Sequence, residues 1–140
     1  MATITSNERR TSSLAVPANK RVWAGRIASG LTVAMLLASV VFKLSHDPGF
    51  VAKWTGELGW PEDRLTSIGL LELFCVALYA VPRTAPLGAV LLTGYFGGAI
   101  ASHVRIGDPF IVPLVLGVVA WGGLYLRDDR LRTLLVRRPA

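Results

Sequence analysis

Two long apolar runs meet at the tight turn Pro82-Arg83-Thr84-Ala85-Pro86 and fill most of the stretch Ile68–Pro109. A connection this short permits only an antiparallel hairpin of the segments that flank it. The first run carries a carboxylate, Glu72, where hydrocarbon would be expected. The second is rich in glycine and ends on His103 and Arg105. A charge inside an apolar run is costly to keep there, so Glu72 is a functional-site candidate by default.

The rest of the chain follows the same pattern. At 140 residues it is one domain's worth of protein. Its residues are 52% hydrophobic and only 17% charged, against about 25% charged in soluble domains. The charges gather at the chain ends and in short loops, which leaves the long apolar runs of a polytopic membrane protein. A net charge of +6 raises the possibility of nucleic-acid binding. That needs Lys and Arg on one face with interleaved aromatics, whereas here the basic residues cap apolar segments, as headgroups and insertion require. Cys75 is the single cysteine, so no disulfide within the chain, no CxxC couple and no cysteine-based zinc site can form.

Hydrophobicity and breaker residues predict four membrane helices, at about 22–44, 61–81, 86–102 and 109–126. The first has no charge between Ile27 and Phe42, and Gly30, Ala34 and Ala38 form a small-residue stripe suited to close helix contact. Residues 1–20 are polar and aperiodic, and are expected to be a disordered cytoplasmic tail. The loop Ser45–Trp60 places Phe50, Val51, Trp54 and Leu58 at helical spacing, as a short helix lying in the interface would, with Trp54 and Trp60 at headgroup level. An irregular, partly buried loop is the alternative. The second membrane helix is expected from Pro61, with Glu62 and Asp63 at the positive end of its dipole. Residues 132–140 form a basic tail, and Leu131, Leu134 and Leu135 near it could rest on the membrane surface.

Lys and Arg fix the expected orientation. Eleven fall on one side, in the N-terminal segment to Arg26, at Arg83 and from Arg127 onward; four, Lys43, Lys53, Arg64 and Arg105, fall on the other. By the positive-inside rule both termini are cytoplasmic, which four crossings allow.

In this topology Lys43, His46, Asp47, His103, Arg105 and Asp108 lie toward the outer side. Glu72 lies ~16 Å along its helix from Pro61, on a face shared with Leu65, Ile68, Gly69, Cys75, Val76 and Tyr79. Lys43 is the nearest cation to neutralise it. Three readings are open, one of them a simply protonated Glu72 bonded to a helix backbone. In another, Lys43 and Glu72 form a buried pair that fixes helix register. Alternatively Glu72 anchors a small-molecule pocket that opens outward past His103, with Tyr79, Arg105 and Asp108 in its surroundings. Gly94, Gly97 and Gly98 are assigned to helix packing. His46, His103 and a nearby aspartate have no metal-ligand spacing, so no metal is expected. No nucleophile–base pair, phosphate loop or haem-attachment motif is present.

The hairpin resembles the DoxX-like family of small four-helix bacterial integral membrane proteins. The resemblance rests on Lys43, Gly69-Leu70-Leu71-Glu72, Tyr79-Ala80-Val81-Pro82-Arg83-Thr84 and the glycine-rich run Leu87–Ala99. Ser102-His103-Val104-Arg105, Asp108-Pro109 and Trp121-Gly122-Gly123-Leu124 complete it, over about residues 21–131. It implies an all-α, four-transmembrane-helix antiparallel bundle in the plasma (inner) membrane, and a link to quinol-oxidising or redox-stress complexes. No catalytic residues come with it.

Three functions are therefore carried forward. One is a redox-associated membrane component binding a quinone or another apolar ligand near Glu72, with no covalently attached cofactor. A second is a non-enzymatic binding or transport protein for a lipid or small metabolite. The third is an assembly partner of other membrane or redox proteins. An autonomous enzyme is disfavoured, and oligomeric state is not legible.

Overall fold

The computed structural model describes residues 18–136, and among these every regular element is helical. Residues 1–17 and 137–140, which hold most of the expected N-terminal tail and the end of the basic C-terminal one, lie outside the described residues.

The first helix, α1 (Ala18–Leu44), begins a turn before the expected start and takes in residues 18–20. A short helix α2 (Pro48–Ala52) follows, and Asp47 caps it by accepting the Phe50 N–H at 3.0 Å. It runs on into one π-helical turn, Lys53–Glu57. Helix α3 (Asp63–Ala80) starts two residues after Pro61 and stops because the residue before Pro82, Val81, is driven into extended backbone. Thr84 closes the hairpin by donating its hydroxyl to the Leu78 carbonyl at 2.8 Å. Helix α4 (Ala85–Ile106) opens with proline in its first turn, where no N–H is missed, and ends at Gly107 with φ 73°. That left-handed turn lets the Gly107 N–H return to the carbonyls of the last helical turn. Helix α5 (Ile111–Arg127) follows. Asp128 then breaks the axis and caps α6 (Asp129–Val136), accepting the N–H groups of Arg130 and Leu131. Much of the segment expected as a basic tail is therefore helix.

The four long helices close into a ring of neighbours: α1 against α3, α3 against α4, α4 against α5, and α5 back against α1. Leu36, Cys75, Val76, Tyr79, Ala89, Leu92, Phe96, Ala120 and Leu124 fill the centre, and Leu131 of α6 packs on its edge. The outside is apolar too. Ile27, Leu31, Phe74, Leu87, Val90 and Val118 are all more than half exposed. An apolar face this extended is a surface for lipid or partner, not for water. Among the described residues two helices, α1 and α4, are long and apolar enough to cross a membrane, and α5 is apolar but shorter.

The small residues that bring helices together are not those the spacing singled out. A Cβ on Gly94, Gly97, Gly98 or Gly30 would meet nothing within 4 Å, and Ala34 and Ala38 are exposed. These stripes face outward, so the packing role assigned to Gly94, Gly97 and Gly98 is corrected. Close approach occurs elsewhere. A Cβ on Gly88 would lie 2.3 Å from the Tyr79 backbone nitrogen, and one on Gly25 would lie 2.8 Å from the Gly123 carbonyl. Those glycines seat α4 on α3 and α1 on α5.

Candidate functional site

The site is built where the last turns of α1 pass α3. Ser39 and Lys43 are four residues apart and so share one face of α1. Gly69 on α3 leaves room for the lysine stem, since a Cβ there would come within 3.1 Å of the Lys43 Cβ. One turn further along α3, Glu72 meets the lysine. Lys43 Nζ donates to Glu72 Oε2 at 2.9 Å and also to Ser39 Oγ, and Ser39 Oγ lies 3.3 Å from the same carboxylate oxygen. The pair is withdrawn from solvent, with Lys43 4% and Glu72 1% exposed. The Phe50 ring of α2 covers the ammonium with its centroid at 5.1 Å, a cation–π contact that offsets part of the desolvation.

One acceptor is left over. Glu72 Oε1 is buried and has no hydrogen-bond partner, a condition that costs free energy unless something donates to it. Beside the carboxylate lies a cavity of about 360 Å³, walled by Leu36, Phe96, Pro113 and Leu116 and roofed by Phe50, Trp54 and Leu58. Tyr95 lines it as well, and its hydroxyl is within electrostatic reach of Glu72 and Ser39. The cavity is thus lined by apolar side chains together with Glu72, whose second oxygen is unpartnered, Tyr95, and a lysine whose ammonium is already held by two partners. Such a set can bind a small, largely apolar molecule through a donor group.

Of the residues singled out from sequence, Lys43, Glu72 and His103 line this cavity. His103 stands at the end of the cavity nearest the C-terminus of α4, donating Nδ1–H to the Ala99 carbonyl at 2.8 Å and turning Nε2 toward Asp108 Oδ2 at 3.7 Å. Asp108 does not line the cavity and lies between His103 and Lys53, whose Nζ is 3.9 Å away. Arg105 does not reach it either. Its guanidinium donates to the Leu58 carbonyl and rests over the Trp60 ring, pinning the segment between α2 and α3. Tyr79 is also separate. It is on the buried face of α3, but its hydroxyl donates to the Ala120 carbonyl at 2.7 Å and lies 3.0 Å from Ser29 Oγ. Tyr79 therefore ties α3 to α1 and α5 below the cavity. His46 bonds Thr66 and Glu62 at the start of α3, apart from His103, and the described residues hold no cluster placed to ligate a metal.

Sequence reasoning missed Ser39, Phe50 and Tyr95 as site residues. Ser39 was detectable as the polar residue one turn before Lys43. Tyr95 gave no signal of its own, because a tyrosine among glycines in an apolar helix is as easily a membrane-facing residue.

A family model described as the DoxX-like family matches residues 27–123, a span that includes every residue lining this cavity. No curated protein and no solved structure shows significant similarity to the chain. The chain is an all-helical membrane protein that belongs to the DoxX-like family.

Proposed function

We propose that the protein is a plasma-membrane component crossing the bilayer four times, with both termini cytoplasmic, that binds a small apolar molecule carrying an O–H or N–H group in the Lys43–Glu72 cavity. The observation that carries this reading is Glu72 Oε1, buried without a donor beside an apolar cavity. A bound hydroxyl or amine supplies the missing donor. Tyr95 and His103 offer further polar contacts along the wall, and the hydrocarbon lining holds the remainder of the ligand. Among membrane-borne molecules a quinol has this character, an aromatic body with hydroxyl groups, and a redox-associated role follows if it is the occupant. A lipid or metabolite with a hydroxyl uses the same contacts in a binding or transport role. Neither assignment requires a reaction catalysed by the chain itself.

Purification in mild detergent followed by mass spectrometry of released small molecules tests the proposal. Wild-type protein is expected to release a stoichiometric molecule with an O–H or N–H group, and Glu72→Gln protein to lose it. A quinol mass, or that of the quinone it becomes on oxidation during purification, assigns the redox role, and a lipid or metabolite mass the other. Wild-type protein without a bound molecule, or retention undiminished in Glu72→Gln, refutes the reading and leaves the pair with a structural role.

A further inference from the structure

At the opposite end of the bundle from Glu72 lies a second cavity, of about 430 Å³, where α1 starts, α3 turns into α4, and α5 gives way to α6. Four arginines line it from separate elements: Arg26 from α1, Arg83 from the hairpin turn, Arg127 from the end of α5 and Arg130 from α6. Two aspartates, Asp128 and Asp129, also line it, but both are engaged. Asp128 accepts the backbone N–H groups of Arg130 and Leu131, and Asp129 is paired with Arg21 at 2.9 Å and Arg132 at 3.3 Å. Among the described residues none of the four lining arginines forms an ion pair.

Arg127 is the fixed member of the set. Its Nη2 donates to the Tyr79 carbonyl at 3.0 Å, and its guanidinium lies over the Tyr79 ring at 5.1 Å. Its Nε is buried and has no partner. A guanidinium held in place at the wall of a concavity lined by three more arginines suits an oxyanion with several acceptor oxygens. Pro82 and Leu124 make part of the floor apolar. Basic pockets between membrane helices are sites for lipid phosphate headgroups.

We infer that this arginine-lined cavity is a binding site for a phosphate ester, with Arg127 as the fixed donor and Arg26, Arg83 and Arg130 closing around the anion. The phosphate can belong to an anionic lipid headgroup or to a free phosphorylated compound, and the chemistry recognised is the same.

The full-length protein in nanodiscs of phosphatidylglycerol and phosphatidylcholine, released for native mass spectrometry, separates the sources. A lipid site predicts retained phosphatidylglycerol adducts in wild type, reduced about ten-fold or more in Arg26→Gln/Arg83→Gln, since each arginine near an anionic headgroup is worth roughly 1 kcal/mol. Arg64→Gln, which removes a charge at the other end, leaves the adducts in place, whereas Arg83→Gln alone reduces them. A free-phosphate site predicts no lipid preference but a rise in melting temperature with millimolar inorganic phosphate in detergent, absent from the double variant. Both substituted arginines are exposed, and it is Arg127 that bonds Tyr79, so these variants keep the packing around Arg127. The inference is overturned if adducts and phosphate stabilisation are the same in wild type and the double variant, or if Arg64→Gln lowers them as much as Arg83→Gln.

Discussion

Glu72→Gln, made alone and together with Lys43→Met, isolates what the buried pair does. The amide keeps the shape of the carboxylate and its contact with Ser39, so the single substitution removes charge and little else. It leaves the Lys43 ammonium 4% exposed without a counter-charge, held only by neutral partners: Ser39, the amide oxygen and the Phe50 ring. Stranding one member of a buried pair costs about 3–5 kcal/mol. Lys43→Met alone strands the carboxylate at similar cost. In the double variant neither charge is left, and methionine fills the volume of the lysine stem. Replacing a buried pair with uncharged groups of similar size is often neutral, so the double variant should recover most of the loss and be more stable than either single one.

Reversible unfolding in mixed micelles, with all four proteins compared as a cycle, measures this coupling. Single variants that each lose less than about 1 kcal/mol, or losses that simply add in the double variant, would refute the picture of two charges coupled in a dry interior. The double variant also separates the two roles of the pair. It has a stable fold but no carboxylate, so loss of the co-purified molecule from it reports on binding and not on unfolding.

Three further outcomes follow from the packing. Gly88→Ala forces a methyl against the Tyr79 backbone, which cannot yield as a side chain does, and should cost about 1–3 kcal/mol, while Gly94→Ala meets open space and should be neutral or slightly stabilising; melting temperatures in detergent compare the two. Tyr79→Phe removes the donor to Ala120 and the partner of Ser29, and is expected to destabilise by about 1–3 kcal/mol in the same assay while leaving the Lys43–Glu72 ligand bound. Arg105→Gln releases the Leu58 carbonyl and the Trp60 ring, so proteolysis within residues 45–62 should speed up with the bundle still folded, and an unchanged cleavage rate would show that Arg105 does not anchor the segment.

Element type was largely legible because the signals were local. Prolines at 82 and 86 mark the hairpin by backbone chemistry alone, whereas α4 runs past its expected end at 102 to the left-handed Gly107. The face of α3 read from helical spacing is also the one it buries, Leu65, Gly69, Glu72, Cys75, Val76 and Tyr79, with Ile68 only part-buried. What spacing could not supply was which neighbour each face meets. Gly94 and Gly98 fit the small-residue pattern yet face outward, while Gly25 and Gly123, almost a hundred residues apart, make the close α1–α5 contact. The same limit applies to Tyr79. It shares the face of Glu72, but its hydroxyl reaches past the cavity level to α5, a partner chosen by tertiary packing.

The segment between α1 and α3 explains how a charged pair can remain dry near one end of a bundle. Lys43 sits in the last turn of α1, where its ammonium would ordinarily extend into solvent. Instead Phe50 lies over it, and Trp54 and Leu58 pack with Leu65 into a small core of their own above the cavity. That roof is tied down by separate contacts: Trp54 Nε1 to the Pro61 carbonyl at 3.1 Å, Arg105 to Leu58, and Lys53 to Asp108. Arg105 and Asp108, placed by sequence beside the carboxylate, therefore act on the site from outside, by holding the cover under which Lys43 and Glu72 stay paired. Any ligand reaching Glu72 from the polar side must pass that cover. From the bilayer side it must pass between the apolar helices, a route open to the kind of molecule the cavity lining suits.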